Sequence, residues 1–204
     1  MPKQNTLKYL SDVTLEDIMK EADASFIHEK HSPAQPNTVS TTTRKPHSGK
    51  TVTFNILKTY GTLSNRKNAV TFALVDWGGY TRYDLRGWSA DYSIPYKGIS
   101  FTSEELSVLR DSLSSYVFHA YSQPKYVCDM GKTTAKIYHV ISQLSSSTLR
   151  GVTWNKQVSI VDWGYGQKFD FRKWTNDYDK CGKGICLTKD EVSTLVKLLM
   201  NISL

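Results

Sequence analysis

The string VDWGGYTRYDLRGW at residues 75–88 returns as VDWGYGQKFDFRKW at 161–174. A chain that writes one string twice builds one small unit twice, and this constrains the fold more than any other feature. A constant shift of 86 residues carries Trp77 onto Trp163, Asp84 onto Asp170, Arg86 onto Arg172 and Trp88 onto Trp174. It continues through Asp91-Tyr92 onto Asp177-Tyr178, and through Lys97-Gly98-Ile99 onto Lys183-Gly184-Ile185. It reaches Leu113 and Leu199 without a gap. Upstream only the pattern persists, TVTFNILKTY (51–60) against KIYHVISQL (136–144). Each unit is about 65 to 70 residues long. Two copies are too few to stack as a solenoid, so the expectation is two paired modules.

Each module reads β-β-β-β-α. Strands are predicted near 51–60, 69–77, 80–88 and 98–102, and again near 133–143, 156–163, 167–174 and 184–188. Asp-Trp-Gly at 76–78 and 162–164, with a further glycine at 79 and 166, marks a tight hairpin in each copy. Thr102 with Glu105 and Thr188 with Glu191 are capping boxes that start a helix. Behind them Leu106, Leu109, Leu113 and Val117 form an apolar stripe, repeated by Val192, Leu195, Leu199 and Ile202. One helix covers one face of a sheet, so the other face is expected to meet water, a partner or a ligand. Ahead of the modules Thr14 and Asp17 begin a short helix, and residues 28–50 have the polar, Pro- and Thr-rich composition of a linker. The expected organisation is 1–50 helix and linker, 51–118 first module, 119–131 connection, 132–204 second module. The fold class is α+β.

Composition excludes some functions. No run approaches the 18 apolar residues of a membrane helix, and MPKQNTLKYLSD lacks the apolar core of a signal peptide. Three cysteines, Cys128, Cys181 and Cys186, suit a reducing compartment, so a cytoplasmic location is expected. Cys181 and Cys186 have the zinc-compatible residue type, but their first-copy counterparts are Pro95 and Ser100. His28 and His31 have no further ligands nearby, so no metal or cofactor is expected. The net charge is +7, and residues 121–204 hold most of it, 12 basic against 7 acidic. Such a balance favours a polyanionic partner, most strongly for the second module, and charge alone equally describes a basic domain without one.

The third strand sorts by parity, because strand side chains alternate faces. Phe169 and Phe171 share one side, as do Tyr83 and Leu85, and these are expected to face the helix. Lys168, Asp170, Arg172 and Trp174 share the other side, as do Arg82, Asp84, Arg86 and Trp88. An open sheet face with cations beside an indole suits single-stranded nucleic acid, because cations follow phosphates while rings stack on unpaired bases. The same pattern equally describes an Arg–Asp pair beside a tryptophan that packs on a neighbour.

Asp-hydrophobic-Arg-x-Trp, then Lys-Gly-Ile-x-hydrophobic-Thr before a capped helix, resembles the C-terminal domain of the transcriptional coactivator Positive Cofactor Four, and its short bacterial relatives still more. It stands here as Asp84-Leu85-Arg86-Gly87-Trp88 with Lys97 to Thr102, and as Asp170-Phe171-Arg172-Lys173-Trp174 with Lys183 to Thr188. The resemblance covers both modules, about two-thirds of the chain. It implies a curved four-stranded antiparallel sheet backed by one helix, paired as a dimer on single-stranded DNA. In this chain the pair would be an intramolecular pseudo-dimer within a monomer. The contacts it implies are Arg86, Trp88 and Lys97, with Arg172, Trp174 and Lys183. Tyr80, Arg82, Tyr165 and Lys168 in the hairpins match more loosely.

The expected function is therefore sequence-independent binding of single-stranded DNA, or RNA, in transcription, replication or recombination. Repeated acids at 76, 84, 91, 162, 170 and 177 raise a metal-dependent nuclease. No repeated base accompanies them, Asp84 lies between two arginines, and no enzyme is expected. The other class is a protein-interaction adaptor in a transcription or anti-defence complex. A protein partner is assigned to residues 1–50, which are expected to be dispensable for strand binding.

Overall fold

The computed structural model describes residues 53–64 and 69–203. The helix expected from Thr14 and the linker expected over 28–50 lie outside them. The described chain is α+β, with two antiparallel sheets and two helices. The first sheet has the order β1 (Asn55–Thr62), β2 (Val70–Asp76), β3 (Thr81–Trp88), β4 (Pro95–Phe101). Helix α1 (Ser103–Ser114) follows. The second has the order β5 (Tyr126–Asp129), β6 (Thr134–Leu149), β7 (Val152–Asp162), β8 (Gln167–Thr175), β9 (Cys181–Leu187), and helix α2 (Lys189–Met200) ends it.

Strand β5 lies in the stretch expected to be only a connection. It pairs Tyr126 with Ile137 and Cys128 with Ala135 on the outer side of β6, so the second sheet has five strands where four were expected. YVCD is too short to show a periodicity of its own, and only its partner strand makes it a strand. Strands β6 and β7 also run longer than their counterparts, to 16 and 11 residues. Register shifts interrupt β1 at two places and β6 at three. Each shift bends and twists the strand, which lets the sheets curl around what they cover.

Both helices begin as the sequence requires. Thr102 and Thr188 accept the N–H of Glu105 and Glu191, whose carboxylates accept the cap N–H groups in return. Leu106, Leu109 and Leu113 of α1 and Val192, Leu195 and Leu199 of α2 are buried, as is Ile202 just beyond α2. Val117 is the exception: α1 stops at Ser114, and Val117 is largely exposed.

The two halves share one core. Phe72, Leu85 and Phe101 of the first and Val158, Phe171 and Leu187 of the second belong to a single cluster with both helices. Helix α1 packs on β3 and β4 and also on β6, while Leu198 of α2 approaches Gly61 of β1. A Cβ at Gly61 would stand 2.9 Å from the Leu198 Cδ1, so the glycine admits the other half's helix. A polar lock joins the halves as well. Lys156 of β7 donates to Glu105 at 2.6 Å and to the Ser100 carbonyl at 2.9 Å, and Ser145 donates to the same carboxylate. No described helix is long and apolar enough to cross a membrane.

Candidate nucleic-acid interface

The repeated Asp-x-Arg-x-Trp builds the same cluster twice. Asp170 is fully buried and is neutralised by Arg172, which donates from Nε at 2.5 Å and Nη2 at 2.6 Å. Trp163 Nε1 adds a third bond at 3.1 Å and Cys186 Sγ a fourth at 3.0 Å. In the first copy Arg86 grips Asp84 through Nε and Nη2, and Ser100 stands where Cys186 does, donating at 2.6 Å. Each guanidinium lies over the hairpin tryptophan, 4.5 Å from the Trp77 ring and 4.2 Å from the Trp163 ring. The buried carboxylate thus gains a bidentate partner, and the cation gains an aromatic face.

The strand parity holds, but the second face is not open. Trp88 is 1% exposed and Trp174 is 0% exposed, so neither ring is available to stack on a base. This corrects the expectation for both residues. Trp88 lies under Phe54, Trp77 and Tyr92 with Ala73 and Val75 beneath it. Trp174 lies under Trp163 and Tyr178, beside Cys128 of β5, Ile137 and Val161. The indole N–H groups of Trp88 and Trp174 have no acceptor among the described residues, so the rings serve as apolar mass. Parity assigns a side to a residue but does not say what covers that side. Here the cover comes from the hairpin Trp, from a loop Tyr held at positive φ (58° at Tyr92, 61° at Tyr178), and from residues far upstream.

The remaining expected residues fall into two groups. Arg86 and Arg172 are mostly buried within the clusters just described. Tyr80 and Tyr165, at 69% and 85% exposure, stand at the hairpin tips, and Arg82, Lys97 and Lys183 are exposed, with Lys168 half-buried. Tyr165 borders a hollow of about 420 Å³ with Lys132, Lys136 and Trp163.

Two grooves run along the seam between the halves. The larger, about 1110 Å³, takes Lys97, Tyr96 and Pro95 from the first half and Trp163, Arg172 and Lys183 from the second. The smaller, about 350 Å³, takes Arg82 and Arg86 from the first half and Lys156, Lys173 and Lys183 from the second. No carboxylate lines either groove. The floors correspond under the 86-residue shift: Arg86, Gly98, Ile99 and Ser100 in one answer Arg172, Gly184, Ile185 and Cys186 in the other. Lys156 and Lys173 had not been expected in a site. Their signal is a contrast between the copies, since the shift places Val70 and Gly87 at their counterparts.

Close strand approach shapes both floors. A Cβ at Gly98 would stand 2.1 Å from the Arg86 Cβ, and one at Gly184 would stand 2.3 Å from the Phe171 carbonyl oxygen. The glycine of Lys-Gly-Ile is therefore required to bring β4 and β9 against the arginine strands.

The electrostatics follow from burial and pairing. Burial opposes charge on Arg172, but Asp170 outweighs it and holds the guanidinium pKa above its ordinary value. Burial, with Asp170 adding to it, pushes the Cys186 thiol up to about 12, so it remains a protonated donor. Burial lowers the Lys156 pKa, opposed by Glu105 and reinforced by Lys173 and Arg82 nearby. The described residues include no group of three or more His, Cys, Asp or Glu arranged to hold a metal ion.

No family model matches the chain, and no solved structure matches it. It is 34% identical over 68 residues to an uncharacterized protein of Treponema pallidum (strain Nichols), a stretch that is 33% of this chain and 80% of that protein.

Proposed function

The chain belongs to one family with that uncharacterized Treponema pallidum protein, and we propose that it is a doubled form of the module, paired within one molecule to bind single-stranded nucleic acid. The matched length supports the doubling: 68 residues is the length of one repeat, and it fills most of the relative. The shared core and the corresponding floors of the two seam grooves support an intramolecular pseudo-dimer. Each half supplies β4 or β9, so the grooves exist only when both halves are present.

The observation that carries the binding is the lining of the seam. Cations from both halves converge on grooves that no carboxylate lines, and Tyr96 and Trp163 flank the larger of the two. Such a track suits a flexible polyanion whose bases find aromatic edges. Exposed Tyr80 and Tyr165 at the hairpin tips are the remaining stacking candidates, in place of Trp88 and Trp174. Lys183, Arg82 and Lys168 would meet phosphates, while Arg86 and Arg172 keep the sheet faces charged and ordered.

The test is the affinity for oligo-dT at two salt concentrations, with matched RNA and duplex as comparisons. Affinity for the single strand should fall steeply as salt rises, by about 0.7 in log–log slope per phosphate contact. A salt-insensitive or absent interaction would instead favour an adaptor.

A further inference from the structure

The two seam grooves share a floor but differ in their walls. In the small groove Lys156 and Lys173 stand where the large groove has Val70 and Gly87, and Gly182 stands where it has Tyr96. The large groove has three times the volume and adds Met130, Cys181 and Cys186, which are sulfur groups rather than cations. In the small groove Arg86 is already satisfied by Asp84, and Lys156 by Glu105. Arg82, Lys173 and Lys183 form no ion pair among the described residues. Three unpaired cations therefore surround about 350 Å³. In the large groove Arg172 is satisfied by Asp170, which leaves Lys97 and the shared Lys183 around about 1110 Å³.

We propose that the grooves have diverged in function, so that the chain holds one phosphodiester backbone, in the small groove through Arg82, Lys173 and Lys183, while the large groove takes none. This rests on the nucleic-acid reading above and adds to it a stoichiometry and a place. The lowered pKa of Lys156, to which Lys173 and Arg82 contribute after burial, agrees with a crowding of positive charge there. Two adjacent phosphates of a single strand, carrying two negative charges, would relieve that crowding. The large groove offers no comparable concentration of charge. Lys173 decides the difference, because it is exposed, forms no ion pair among the described residues and is present in only one copy.

The experiment uses the full chain and a short oligo-dT of about ten nucleotides, within the range of site sizes of single-strand-binding folds. Titration by intrinsic tryptophan fluorescence should return one strand per chain. The exposed-site variant Arg82→Ala/Lys173→Ala should weaken binding roughly tenfold at low salt and lower the log–log salt slope by about 1.4, two contacts' worth. Lys97→Ala, exposed in the large groove, should change affinity less than threefold. Two equal strands per chain, or an equal loss from Lys97→Ala and Lys173→Ala, would overturn the proposal and leave nucleic-acid binding intact. Failure of the unaltered chain to bind any single strand would overturn both. Melting curves superimposable on the parent's are expected for all three variants, which separates lost contacts from lost folding.

Discussion

At the scale of residues, the repeated tryptophan shows how one signal supports two readings. Asp-x-Arg-x-Trp places indole and guanidinium on one side of a strand whether the face is open or covered. Here it is covered, and the arginine is sandwiched between a buried carboxylate and a second indole. Trp174→Ala is therefore expected to behave as a core truncation. It should cost about 3–5 kcal/mol of stability, the range for a buried large ring. In calorimetry this appears as a fall in Tm on the order of 10 °C for a body of this size. Unchanged melting with lost oligonucleotide affinity would show that the ring is uncovered in solution. Gly184→Ala should be at least as damaging, because its new Cβ meets backbone at 2.3 Å rather than a movable side chain. Loss of the cooperative melting transition is the expected readout.

At the scale of elements, the sequence was legible wherever local chemistry decides. Thr102/Glu105 and Thr188/Glu191 fixed the helix starts, and alternation sorted Phe169 and Phe171 from Asp170 and Arg172. Elements decided by distant partners were not legible. Strand β5 exists because Ala135 and Ile137 lie alongside it, and the rings over Trp88 and Trp174 come from Phe54, Trp77, Trp163 and the αL tyrosines. Lys156 carries no local signal of its role, because β7 brings it to Glu105 at the start of α1. That contact leads to a prediction. Glu105 is buried, and although burial alone would raise its pKa, the hydrogen bonds from Lys156, Ser145 and Thr102 hold it below the ordinary 4.5. A carboxyl with a depressed folded pKa contributes stability that is fully present above its unfolded value and is lost as pH falls through the folded one. Denaturant titrations should therefore show stability declining below about pH 4.5, and Glu105→Gln should flatten that decline. At neutral pH the same variant leaves Lys156 charged without its partner, at a cost of about 3 kcal/mol. Replacing both members with apolar residues of similar size should recover most of that loss.

At the scale of the molecule, the two halves present complementary surfaces to one another. Helix α2 rests on β1, α1 rests on β6, and a single cluster of side chains fills the space between the sheets. The tether between α1 and β5 is short, which keeps the halves at an effective concentration of roughly millimolar. Light scattering at micromolar concentration should therefore return a single species near 23.2 kDa. A stable dimer would mean that each half has found its partner in another chain. The seam itself could not be read from the sequence. The shift of 86 residues revealed that Lys173 lacks a counterpart, but only the packing of β4 near β9 shows that it faces Arg82.

The difference between Lys156 and Val70 has a consequence for any long partner. A pair of identical subunits has a two-fold axis, and a polymer laid across that axis meets the same groups whichever end leads. This chain has no such axis, because Lys156 and Lys173 answer to Val70 and Gly87 in the other copy. A polymer with distinct ends, laid over the seam, meets lysine first in one orientation and last in the other. The two orientations differ in energy, so the molecule has the means to distinguish head from tail.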